Sequence, residues 1–173
     1  MHDDSFWGDS YRPNRQRSER TFDTAQICLN GHIANSSYNT HPQYREVFCS
    51  ECGEKTITQC QSCNAPIRGA YERSLAHYQK PAYCINCGNP YPWTQRTQEA
   101  VYEIIEFSTL TQIEKDDFKN SITDLIAPSP KTNLAQLKFI KYAKNAGVEV
   151  AKGLKDVLID IVSETAKKAI WGG

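Results

Sequence analysis

The chain has 173 residues, enough for one medium domain or two small ones, and its 20 basic and 20 acidic side chains cancel to zero formal charge. No stretch approaches the roughly 18 consecutive apolar residues that read as a membrane span. The polar, acid-containing start lacks the apolar segment of a secretion signal, so a reducing, cytoplasmic compartment is expected.

Residues 1–26 are polar and mixed in charge, with Arg12, Arg15, Arg17 and Arg20 among Asp3, Asp4, Asp9, Glu19 and Asp23. The composition predicts a mobile arm, with Phe6, Trp7 and Tyr11 as side chains able to dock.

Residues 27–93 hold all seven cysteines. With one histidine they form four close pairs: Cys28/His32, Cys49/Cys52, Cys60/Cys63 and Cys84/Cys87. Sixteen residues separate His32 from Cys49 and 20 separate Cys63 from Cys84, the spacing at which two knuckles share one metal ion. Two thiolates from one tight turn fill two corners of a tetrahedron, the geometry zinc prefers. Gly53 and Gly88 follow two of the pairs, where a positive φ lets backbone N–H groups turn towards sulfur. An odd number of cysteines in paired spacing argues against a disulfide scaffold. His41 and His77 read as surface residues.

Eight ligands make two sites in one of two ways. Sequential pairing gives a site of three cysteines and one histidine from the first two pairs and a four-cysteine site from the last two, as two zinc ribbons in tandem. Cross-bracing joins the first pair to the third and the second to the fourth, as in RING-type domains. The second and fourth pairs share a flank, Phe48-Cys-Ser-Glu-Cys-Gly53 and Tyr83-Cys-Ile-Asn-Cys-Gly88, which favours one ribbon used twice and hence sequential pairing. Either way the ligands fill both sites. A catalytic zinc keeps an open position, so both metals read as structural. They would stand in for a core that about 65 residues cannot build alone.

From Thr94 onward cysteine disappears and helical periodicity begins. Val101, Ile104 and Ile105 mark a first helix. Thr111-Gln-Ile-Glu114 is a capping-box pattern opening a second, with Phe118, Ile122, Leu125 and Ile126 on one face. Pro128-Ser-Pro130 breaks the chain, and Leu134, Leu137 and Ile140 continue helically, with Gly147 and Gly153 as weak points or close-packing positions. Leu154, Val157, Leu158, Ile161 and Val162, extended by Thr165, Ala166, Ala169 and Ile170, read as one terminal amphipathic helix. So broad a stripe predicts packing against a second copy, giving a homo-oligomer.

Charge weighs against nucleic acid at the cysteine region. Its five basic and four acidic side chains become a net −2 once two dications and seven thiolates are counted. A basic cluster lies elsewhere, in Lys131, Lys138, Lys141, Lys144, Lys152 and Lys155 against Glu149. Residues 94–127 carry seven acids and three bases, so pairing between the helices accounts for those lysines.

Whole strings match a known family as well. Cys28-Leu-Asn-Gly-His32, Phe48-Cys-Ser-Glu-Cys-Gly-Glu-Lys-Thr-Ile57, Cys60-Gln-Ser-Cys-Asn-Ala-Pro-Ile-Arg-Gly69, Pro81-Ala-Tyr-Cys-Ile-Asn-Cys-Gly-Asn-Pro-Tyr-Pro-Trp93 and the run from Ile159 to Gly172 resemble the bacterial zinc-ribbon family catalogued as domain of unknown function 2321. The resemblance covers roughly residues 25–173 and implies a bacterial, cytoplasmic, metal-binding protein.

The expectation is a small zinc-stabilised α+β fold, with tandem zinc ribbons of short hairpins over 27–93 and a helical region over 94–173. It holds two Zn2+ and no catalytic constellation, since metals claim every thiol and no phosphate loop or nucleophile elbow occurs. The function expected is protein interaction or scaffolding, with Tyr38, Tyr44, Tyr71, Tyr78 and Tyr91 presented to a partner. The alternatives are a nucleic-acid-binding regulator using the 131–155 lysines and a RING-like adaptor.

Overall fold

Short apolar runs between turn residues give strands of two to four residues: β1 (Phe22–Thr24), β2 (Gln26–Cys28), β3 (Ile33–Asn35), β4 (Thr56–Ile57) and β5 (Arg68–Tyr71). The structure is a computed structural model describing residues 21–71, 77–127, 129–159, 161–162 and 164–172, with only the backbone of residues 164 and 165. β3, β2 and β4 form an antiparallel sheet in which Ile27 lies opposite both Ile33 and Ile57. β1 and β5 form a separate antiparallel pair, with the Phe22 and Tyr71 rings 5.0 Å apart.

The mobile arm expected over 1–26 is corrected at its end. Residues 22–24 are strand, Ala25 is fully buried and Gln26 begins β2. The polar composition misled here because Asp23 is a structural acceptor. Its carboxylate takes the backbone N–H groups of Thr24, Asn39 and Thr40 and the Thr40 hydroxyl. The rest of the predicted arm, residues 1–20, lies outside the described residues. Gly69 is fixed by close approach: a Cβ there would lie 2.5 Å from the Ser36 carbonyl oxygen and 2.6 Å from the Thr24 carbonyl carbon.

Among the described residues five α-helices follow: α1 (Pro92–Glu106), α2 (Gln112–Ile126), α3 (Thr132–Asn145), α4 (Val148–Leu158) and α5 (Glu164–Trp171). Pro92 occupies the first turn of α1, where its missing N–H costs nothing. Thr111 and Glu114 form the expected capping box of α2. Gly147, at φ 100°, turns the chain into α4, and Gly153 packs against Ile104. Phe118, Ile122, Leu125 and Ile126 lie in the helical core with Val101, Ile105, Phe139, Leu154 and Leu158. Among the described residues no helix is long and apolar enough to cross a membrane.

One helical expectation is corrected. The terminal stripe is not one helix: α4 ends at Leu158 and α5 begins at Glu164. Leu154, Leu158, Val162 and Ala166 are buried in the helical core, whereas Val157, Ile161 and Ile170 are half-buried and Ala169 is exposed, so only part of the stripe is covered within the chain. In α3 the core face is Ala135, Phe139 and Tyr142, while Leu134, Leu137 and Ile140 are exposed. An apolar residue on each side of a helix leaves the choice of buried face to its neighbours, and the aromatic face won.

A second core joins ribbons to helices. Ala25, Ile27, Ile57, Ile67, Tyr91 and Trp93 pack with Cys60 and Cys84, and the Tyr91 and Trp93 rings stack 4.7 Å apart. Trp93 donates Nε1–H to the Pro81 carbonyl and Thr94 its hydroxyl to Ala82, which ties the start of α1 to the fourth knuckle.

Candidate metal centres

Three of the four ligand pairs adopt the same knuckle. In each, the first cysteine donates its N–H to the carbonyl five residues on: Cys49 to Glu54, Cys60 to Ala65 and Cys84 to Asn89. The residue after the second cysteine then donates back to the first, from Gly53, Asn64 and Gly88. A bridge closes each turn, between Phe48 and Lys55, Gln59 and Pro66, and Tyr83 and Pro90. The turn needs positive φ at its fifth position. Gly53 (71°) and Gly88 (73°) supply it as expected, and Asn64 (59°) supplies it in the third knuckle. Asparagine is the non-glycine residue most at ease there. The repeat is therefore threefold, and Asn64 is the sequence signal that was available for it. The first pair differs. Gly31, at φ 92°, turns the chain so that the Cys28 N–H reaches the His32 carbonyl and the His32 N–H reaches the Cys28 sulfur.

The fold brings all eight predicted residues into two clusters, Cys28, His32, Cys49 and Cys52 in one and Cys60, Cys63, Cys84 and Cys87 in the other, the donor atoms within 4.8 Å of one another. This is the sequential grouping. Cross-bracing, and with it the geometry a RING-like adaptor requires, does not occur.

Sulfurs bound at about 2.3 Å to a tetrahedral zinc stand about 3.8 Å apart. The second cluster has Cys60–Cys87 at 3.8 Å and Cys63–Cys84 at 3.7 Å. The first has Cys28–Cys52 at 3.9 Å, with His32 Nδ1 at 3.3 Å from Cys52, 3.5 Å from Cys28 and 3.7 Å from Cys49. The shorter bond from nitrogen to metal brings that corner closer. The far nitrogen of His32 lies 3.9 Å from the Glu51 carboxylate, beyond hydrogen-bond distance. None of the seven cysteines is in a disulfide.

N–H groups surround the sulfurs. The amide two residues beyond the second cysteine points at its sulfur in every C-x-x-C knuckle: Glu54 to Cys52, Ala65 to Cys63 and Asn89 to Cys87. The Glu54 amide is the main cause that draws Cys52 down to about 6, and the Cys87 and Asn86 amides draw Cys84 to about 6. Cys87 goes the other way. Its Asn89 amide favours the thiolate, but burial and three neighbouring sulfurs push it up to about 12. Burial likewise raises Cys28. Four sulfurs this close cannot all ionise against one another, and a dication at the centre removes that conflict.

Two asparagines escaped the sequence reading. Asn30 donates Nδ2–H to Cys52 Sγ at 3.5 Å, and Asn86 donates to Cys63 Sγ at 3.5 Å. Each sits two residues after the first ligand of its knuckle and reaches across to the opposite knuckle. That shared offset from Cys28 and Cys84 was the available signal. Arg96 of α1 clamps the first site, its Nη1 donating to Asn30 Oδ1 and, at 2.9 Å, to Glu54 Oε2. Lys80 donates to the Gly31 carbonyl at 2.9 Å.

His41 and His77 are exposed and outside both clusters, as expected. Tyr91 is corrected from a presented aromatic to a core residue, 1 % exposed. Tyr78 is half-buried and donates to the Arg68 carbonyl, whereas Tyr44 is exposed. Of the six lysines expected to pair with helical acids, Lys138 does, meeting Asp117 at 2.5 Å. Among the described residues, Lys131, Lys141, Lys144, Lys152 and Lys155 meet no carboxylate within 4.0 Å.

Residues 21–170 match the model of a family described as an uncharacterized protein conserved in bacteria, DUF2321. No curated protein and no solved structure matches the chain.

Proposed function

The chain belongs to the DUF2321 family, and we propose that it is a bacterial, cytoplasmic, non-catalytic module holding two structural zinc ions, whose role is protein interaction or scaffolding. One observation carries the metal reading: eight donors gather as two closed sets at tetrahedral edge lengths, each crossed by N–H groups aimed at sulfur. Sets of four cysteines, or of three with a histidine, are those of structural zinc. Four protein ligands leave no position for water or substrate, so the metals serve the fold and not a reaction. The exposed side chains Tyr44, Val47 and Phe48, on the approach to the second knuckle, support an interaction role for the ribbon surface.

Elemental analysis of purified protein should give about two zinc per chain, with seven thiols titrating after denaturation in chelator. One metal per chain, or cysteines in disulfides, would overturn the reading. Iron in the four-cysteine site would correct the metal and leave the architecture standing.

A further inference from the structure

The lysines that meet no carboxylate among the described residues are not scattered. Lys144 of α3 and Lys152 and Lys155 of α4 line a groove of about 380 Å³ between α3, α4 and α5. Its floor is apolar, built from Ile140, Ala143, Ala151, Ile170 and Trp171. Trp171 is held edge-on against Phe139, ring centroids 5.7 Å apart, so the floor is anchored to the helical core. Leu134 and Leu137 continue the exposed apolar line of α3 beyond Ile140. The surface thus offers cations around an apolar floor, and the complement is a ligand that is apolar in the middle and negative at its edges.

We propose that this groove docks an acidic amphipathic segment of a protein partner, apolar side chains on the floor and carboxylates to Lys144, Lys152 and Lys155. A helix lying in a groove with anchors one turn apart is a common way to read such a surface. Nucleic acid suits it less well. The chain has no arginine after Arg96, so the planar fork that grips phosphate and base edges is missing here. The lysines encircle aliphatic carbon instead of tracking a backbone. A membrane surface suits a convex basic helix face, not a concave one.

The inference deepens the protein-partner reading and rests on it, but not on the metals. The probe is a fluorescein-labelled helical peptide of roughly 18 residues, leucine at i, i+3, i+4 and i+7 and glutamate elsewhere, followed by anisotropy. Controls replace glutamate by glutamine or lysine, or use single-stranded DNA or phosphatidylglycerol vesicles. The glutamate peptide should bind best, and the double variant Lys144→Glu/Lys152→Glu should weaken it by about tenfold or more. Ile140→Asp should do the same through the floor. All three substitutions are at exposed positions, and zinc content should stay at two. Binding unchanged by both variants, no binding of the glutamate peptide, or tighter binding of DNA or vesicles would overturn the proposal. Failure of the unaltered protein to bind the peptide with both zinc ions present sinks only the docking site, while peptide binding by a chain short of zinc sinks only the metal reading.

Discussion

The two halves of this chain are held together by different physics. Among the described residues the helical region has fifteen buried in one apolar cluster, with Phe118, Phe139, Ile122 and Leu125 among them. Among the described residues the ribbon region has eight in its cluster, of which Cys60 and Cys84 are candidate ligands and Tyr91 and Trp93 belong to the junction with α1. What remains of ribbon core is Ala25, Ile27, Ile57 and Ile67, too little to hold strands of two to four residues. One half is organised by expelling water from carbon and the other by satisfying sulfur. They should therefore fail under different insults.

Metal removal should separate them most widely. Binding energy on the order of 10–16 kcal/mol per structural zinc is folding energy for its knuckles. A strong chelator should unfold residues 27–91 while most of the helical circular dichroism survives, and Cys49→Ser and Cys60→Ser should be similarly damaging. Simultaneous loss of the helices would mean that the Trp93 junction makes the halves one cooperative unit. The converse insult is Phe118→Ala, a fully buried ring against Phe139 and Tyr142. It should cost about 3–5 kcal/mol in thermal or denaturant unfolding, with two zinc ions still measured in the folded protein.

Glycine substitutions sharpen the contrast within the ribbons. Gly53 and Gly88 face open space, so alanine there should cost only the left-handed backbone, roughly 1–2 kcal/mol. Asparagine should cost less, because Asn64 already holds that conformation in the third knuckle. Gly31→Ala should be worse than either, since its Cβ would lie 2.9 Å from Trp93 Cβ and 2.8 Å from Lys80 Nζ. Ranking the three by zinc affinity and melting temperature tests this directly.

The smallest effect is electrostatic and belongs to the helices. Lys138, then the Tyr142 hydroxyl, hold the Asp117 carboxyl below its ordinary value of 3.8. A depressed carboxylate stabilises the fold above its unfolded value, and that contribution disappears as pH falls through the lower folded value. Acid titration of unfolding should show Asp117→Asn less stable than wild type at neutral pH and converging with it in strong acid. Equal separation at all pH values would exclude the ion pair as the cause.

Legibility in the sequence followed the same division. Metal ligation demands particular residues at particular spacings, so Cys28 to Cys87 could be read directly, together with the glycines at 53 and 88. Asn64 was passed over because its conformational role is unusual for a residue with a side chain. Apolar helix faces are less definite. The stripe from Leu154 to Ile170 stays in phase across residues 159–163, so periodicity cannot reveal that α4 stops and α5 starts anew. Nor does periodicity say whether Leu137 or Phe139 turns inward, since that depends on what α2 and α5 bring against α3. Tyr91 looked like a ribbon aromatic and is buried because α1 folds back over the knuckles.

Arg96 gives that return of α1 a kinetic meaning. A guanidinium only donates, so its bond to Asn30 dictates that the amide oxygen faces the helix and the amide nitrogen faces Cys52. The sulfur so covered is the exposed one of its site, the corner at which an incoming thiol or chelator would begin to strip the metal. The orientation of one asparagine, set by a residue of α1, would thus govern how readily the first site exchanges a bound ion. In the second site Asn86 covers the half-buried Cys63 and not the exposed Cys87, and among the described residues no guanidinium holds it, so the two ions should leave at different rates, the ion of the four-cysteine site first.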